Sequence, residues 1–97
     1  MTLEAFRSSL QDPEPPILSS KVLTGLWYDA NGNWEKAHDL IDGCSESNAA
    51  WAHAYLHRKE GDVWNSDYWY SKAGRSRPDN TLDQEWDCIV KWIMDNG

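Results

Sequence analysis

The chain is short of what sheets, membrane spans and disulfide scaffolds require. Val, Ile and Thr are few, and no segment alternates apolar and polar residues long enough to make a strand. No apolar run approaches the roughly 18–20 residues needed to cross a bilayer. There are two cysteines, Cys44 and Cys88, without CxxC spacing. They make no disulfide framework, and reduced thiols are expected. The start, Met1-Thr2-Leu3-Glu4, lacks the basic and apolar regions of a secretory signal, so a cytoplasmic location is expected. Cations are scarce as well. Nine Lys and Arg face sixteen Asp and Glu, a net charge of −7. That balance argues against nucleic acid, whose phosphates need a basic face, and against anionic membrane surfaces. No GxSxG elbow, HExxH helix or Gly-rich phosphate loop occurs. The six glycines are scattered. Catalytic residues, a resident metal and a cofactor are therefore not expected.

What is abundant is aromatic area: seven Trp, four Tyr and one Phe in 97 residues. A chain of this length has a thin core, and each ring can bury about 150–250 Å². Ala, Leu, Glu, Asp and Ser make up much of the rest and favour helix over sheet. Charge is unevenly placed. Residues 1–57 carry net −5, residues 58–77 net +2 and residues 78–97 net −4. The basic middle is either a solvated face or a surface that steers an anionic ligand.

Local signals predict one all-α domain over 1–97. Thr2 caps an N-terminal helix within 1–11, with Leu3, Phe6 and Leu10 on one side. A Pro-rich connector at 12–16 stops it, and Pro16 is placed to open the next helix. A first hairpin spans 17–43, its helices meeting at Gly32-Asn33 and closing at Gly43. A second spans 47–75, with Ser47 as its expected cap and Gly61-Asp62 at its turn. Pro78 interrupts the following loop. Thr81 and Gln84 have capping-box spacing ahead of a C-terminal capping helix at 81–96, striped by Leu82, Trp86, Ile89 and Ile93.

The two hairpins share a spacing. Gly25, Tyr28, Gly32, Ala37, Ile41 and Cys44 follow one another at steps of three, four, five, four and three, as do Ala54, His57, Gly61, Ser66, Tyr70 and Ala73. Small residues permit close helix crossing, large ones fill the space beside it, and glycine turns the corner. This pattern resembles the tetratricopeptide repeat, and Pro78 falls where that family breaks its second helix. The copies depart from it in spacing: Gly32 to Gly61 is 29 residues, against a family period of about 34. His57 and Ser66 stand where the family has Tyr and Ala. The resemblance implies a short antiparallel helical-hairpin array, tetratricopeptide-like, of two degenerate repeats with flanking helices. Such an array serves as a protein- or peptide-binding adaptor. The run from Trp51 to Asp62, with Tyr68-Trp69-Tyr70, also resembles a group of uncharacterised microbial proteins, which implies no activity.

In the family, the first helix of each pair lines a concave groove that holds an extended peptide. By register, that groove here would contain Trp51, Tyr55, Arg58 and Lys59 from the second copy, with Val22, Leu26 and Asp29 from the first. Trp, Tyr and Arg are common hot-spot types, and the cations could clamp a carboxylate or a phosphate. On this reading Arg58→Glu abolishes binding and leaves the fold intact. The alternative is that Trp51 and Tyr55 cover the sixth helix as core. Tyr68-Trp69-Tyr70 cannot all point inward, so Tyr68 or Trp69 must face another element, a partner or water. Trp34, Trp64 and Trp92 are expected to be half-buried covers. The alternative function is a small-molecule or metal-binding protein, or an enzyme, with a polar pocket between the hairpins. His53 and His57, four apart, share a helix face at metal-ligand spacing, and His38, Asp39 or Glu60 could complete a polar pocket. The simpler expectation is that both imidazoles hydrogen-bond to a hydroxyl or carbonyl near Ser66 and Tyr70. A structural homo-dimer joined by exposed aromatics is the third reading.

Overall fold

Five of the six helices start where a polar side chain takes up an orphan backbone N–H. The computed structural model describes residues 1–46 and 48–96, and among these it contains six helices and no strand. They are α1 Leu3–Ser9, α2 Lys21–Ala30, α3 Trp34–Asp42, α4 Ala49–Glu60, α5 Val63–Lys72 and α6 Leu82–Asn96. Thr2, Asn33 and Asp62 accept from the N–H three residues on, at 3.1, 3.2 and 3.3 Å. Thr81 and Gln84 form the reciprocal capping box, with bonds of 3.0 and 3.1 Å. Gly61 takes the left-handed conformation, φ 86°, which lets Asp62 N–H return to His57 O at 2.9 Å. That bond ends α4 and aims the chain back along it as α5.

Two starts differ from expectation. Pro16 does not open α2, which begins at Lys21 behind Ser20. The reason is tertiary: Glu46 takes hydrogen bonds from Ser20 Oγ at 2.9 Å and Lys21 N at 3.2 Å and pins the start there. The cap expected at Ser47 lies outside the described residues. Asn48 precedes α4 without a side-chain capping bond, and its Oδ1 accepts from Trp92 Nε1 at 2.8 Å instead.

α2 pairs with α3, and α4 with α5, as antiparallel hairpins, and α3 packs beside α4. The crossings fall at the small residues. A Cβ on Gly25 would sit 2.8 Å from Ile41 Cδ1 and 3.3 Å from Ala37 O, so a side chain fits there only if Ile41 shifts and the α3 backbone gives way slightly. In the second hairpin, fully buried Ser66 donates to Ala54 O at 3.1 Å. A serine there both fits the close approach and satisfies its own hydroxyl.

α6 lies across α2 and α4 and seals the core with Trp86, Ile89, Val90 and Ile93. Trp86 donates to Leu26 O at 3.0 Å and stacks on Phe6 of α1, ring centroids 5.6 Å apart. Fully burying such a side chain contributes about 1.5–3 kcal/mol. Arg7 grips Asp87 with two N–H donors and holds α1 on the outside of α6. Among the described residues no helix is long and apolar enough to cross a membrane.

Candidate functional site

The stripe expected to line a groove is packed under α6. Trp51 is buried and donates to Glu85 Oε2 at 3.1 Å, with the Arg75 guanidinium 3.5 Å from its ring centroid. Arg58 donates to Glu85 Oε1 at 2.8 Å and to Asn80 Oδ1 at 3.3 Å. Tyr70 also donates to Glu85, the nearer bond being 2.6 Å. Glu85 is 1% exposed, so one buried carboxylate organises three donors from α4 and α5. A second centre lies one turn along α4. Asp29, also 1% exposed, accepts from Tyr55 Oη at 3.0 Å and from Lys59 Nζ at 3.0 Å. Leu26 is wholly buried. Burial, and then the neighbouring carboxylate, push the Tyr55 and Tyr70 hydroxyls well above the usual tyrosine range. Asp29, Tyr55 and Lys59 line a small cleft with Arg7, Asp83 and Asp87, and this cleft is what remains open of the expected groove.

Glu85 was not singled out from the sequence. It lies three residues after Leu82 and four before Ile89, on the edge of the apolar stripe of α6. A carboxylate at that position was the available signal of a buried ion pair.

The histidines lie on the opposite side of α4. The expected bonds to a hydroxyl or carbonyl near Ser66 and Tyr70 do not form among the described residues: the two hydroxyls are committed to Ala54 O and to Glu85, and His57 meets Glu60. His53 and His57 turn instead toward His38 of α3. One ring nitrogen of each of the three lies within 4.8 Å of one from each of the others. Ring centroids are 4.7 Å apart for His38–His53, 5.3 Å for His38–His57 and 4.9 Å for His53–His57. Indoles clamp the cluster on two sides: Trp34 stacks on His38 at 5.0 Å and Trp69 on His53 at 4.0 Å, with 14° and 11° between planes. Trp34 is itself fixed by donating to Leu56 O at 2.9 Å. Glu60 meets His57 Nδ1 at 2.6 Å. Asp42 Oδ1 stands 3.9 Å from His53 Nδ1, beyond hydrogen-bond reach. Burial, then the nearby His38 and His57, pull the His53 pKa down to about 4, against a weaker upward pull from Asp42. A cleft beside His53 is bordered by Asp42, Cys44, Trp69 and Lys72. Asp39, the other acid considered as a completing ligand, is exposed.

Trp69 covers His53, so Tyr68 is the residue of its run that faces outward. Tyr68 is 48% exposed and Trp64 is 78% exposed, more than the half-buried cover expected of it. With Val63 they form an apolar face on the outside of α5, rings stacked at 6.4 Å and 10°. Lys72 Nζ lies 5.5 Å from the Tyr68 ring centroid, at the edge of this face. Comparison with protein-family models, with curated proteins and with solved structures finds no match.

Proposed function

We propose that the protein is a non-enzymatic adaptor that binds a protein or peptide through the outer face of α5. The observation that carries this reading is the outward stack of Trp64 on Tyr68. Scattered exposed apolar residues need no explanation, but paired aromatics on one helix face, bordered by a cation, are the composition of an interface hot spot. The tetratricopeptide-like spacing supports a scaffold of this kind. α6 fills the groove which that family offers to its ligands, so the docking surface moves to the outside of the second hairpin. The partner chemistry that suits it is an apolar segment carrying an acidic residue for Lys72.

The test is selection of peptides from a displayed random library on the purified protein. Binders enriched in apolar and acidic residues, weakened at least tenfold by Trp64→Ala, support the reading. Binders indifferent to both Trp64→Ala and Tyr68→Ala sink it. Solution mass at micromolar concentration separates the homo-dimer: a dimer that Trp64→Ala returns to monomer makes the partner a second copy of this chain.

A further inference from the structure

We propose that His38, His53 and His57 form a binding site for a divalent transition-metal ion, of which zinc is the expected occupant. This does not depend on the docking reading, because the cluster lies between α3 and α4 and uses neither Trp64 nor Tyr68.

The argument starts from what burial asks of an imidazole. A ring used only to fill space is cheaper as hydrocarbon, because its nitrogens lose water and need partners. His53 is 4% exposed and His57 is 8% exposed. Among the described residues no fully buried side-chain nitrogen or oxygen lacks a hydrogen-bond partner, so the unbonded nitrogens of His38 and His53 keep an edge to solvent, where an ion can reach them. Three rings from two helices bring one nitrogen each to within 4.8 Å of the others. A metal ion would take one lone pair from each of the three.

The ligand set suits particular ions. Three imidazoles with no carboxylate among them favour zinc, copper or nickel over calcium and magnesium, which want oxygen. Zinc binds imidazole nitrogen at about 2.0–2.1 Å, which places ligand nitrogens roughly 3.4 Å apart in a tetrahedron. The nitrogens therefore have to close by up to about 1.4 Å, and His53 and His57, stacked with 25° between planes, have to unstack so that both in-plane lone pairs reach one ion. Three protein ligands leave a fourth position for water or an exogenous donor.

The surroundings resemble a metal site's outer shell. An ionised Glu60 can only accept, so in its 2.6 Å contact with His57 the Nδ1–H is the donor and Nε2 carries the lone pair of the neutral ring. Carboxylate partners of this kind orient ligating histidines, and losing one costs about 10–100-fold in affinity. Trp34 and Trp69 flank His38 and His53 and shield them from one side each. His57, Glu60 and Asp62 also come within 4.8 Å of one another. Asp62 is already engaged as the cap of α5, accepting from Asn65 N at 3.3 Å and Asn65 Nδ2 at 2.7 Å, so the three-histidine set is the one proposed.

Cobalt(II) is the probe, titrated into the full chain after chelator treatment. The expected result is one ion per chain, with the strong visible absorption of four-coordinate cobalt, displaced by zinc. His38→Ala is expected to weaken binding at least 100-fold and Glu60→Gln about tenfold. The chain has only three histidines, so imidazole ¹⁵N resonances of the unmutated protein read the site directly. All three are expected to shift on adding zinc, and this measurement stands even if His38→Ala fails to fold. Absence of binding, a weak six-coordinate cobalt spectrum, or a zinc shift confined to one or two histidines overturns the proposal. So does binding that survives His38→Ala and is lost in Asp62→Asn.

Discussion

Arg58 and Glu85, 27 residues apart, are joined by a 2.8 Å ion pair whose carboxylate is 1% exposed. The acid on α6 is thereby tied to the last turn of α4, and the same carboxylate collects Tyr70 and Trp51. A pair of this kind fixes how the helices are seated, and losing one member leaves the other charged and buried.

Arg58→Glu is therefore expected to unfold or severely weaken the domain, contrary to the surface role read from the stripe. Arg58→Met, which strands Glu85 without adding a charge, is expected to cost about 3–5 kcal/mol. Urea unfolding followed by helical circular dichroism measures it. A loss under about 1 kcal/mol would place the pair with ordinary surface ion pairs.

Gly25→Ala tests the crossing of the first hairpin. The new methyl meets Ile41 and the Ala37 carbonyl, so a loss of about 1–3 kcal/mol is expected. Ile41→Val in the same chain is expected to recover part of that loss, a non-additivity visible in a double-mutant cycle. Helix propensity alone predicts a gain for Gly25→Ala, so a stabilised variant would show that the helices have room to spare.

Trp64→Ser should leave stability within about 0.5 kcal/mol of the parent, because the ring is 78% exposed. A shift of the melting temperature by more than a few degrees would mean that the indole is covered in solution, as a homo-dimer requires.

Alkaline pH should destabilise the fold. The hydroxyls of Tyr55 and Tyr70 are held above the usual value of 10.0. Above about pH 10 the unfolded chain releases these protons while the folded chain keeps them. Stability is therefore full below pH 10 and falls as pH rises, by up to about 1.4 kcal/mol per pH unit for each tyrosine. Tyr55→Phe should show a shallower fall than the parent between pH 10 and 11 in urea titrations.

Most of the helical framework was legible from residues close in sequence. Thr2, Asn33, Asp62 and Thr81 each serve an N–H three residues away, and Gly61 turns the chain within one hydrogen-bonded loop. The hairpin crossings were legible too, because Gly25 and Ala54 meet residues only 12–16 positions on. The start of α2 was not, since it is set by Glu46.

The sequence alone determined helix content, the places where helices end, and the small residues at which pairs cross, since propensity, caps and turns act within a few residues. Tertiary structure alone decided that α6 covers the Trp51–Lys59 stripe, and that His38 joins His53 and His57. The reason lies in α4, where every residue from Trp51 to His57 is buried. A helix enclosed on all sides has no polar face to show which flank meets which neighbour. That choice was made by buried carboxylates on α2 and α6 and by the packing of α3, through contacts 15–34 residues apart in the chain.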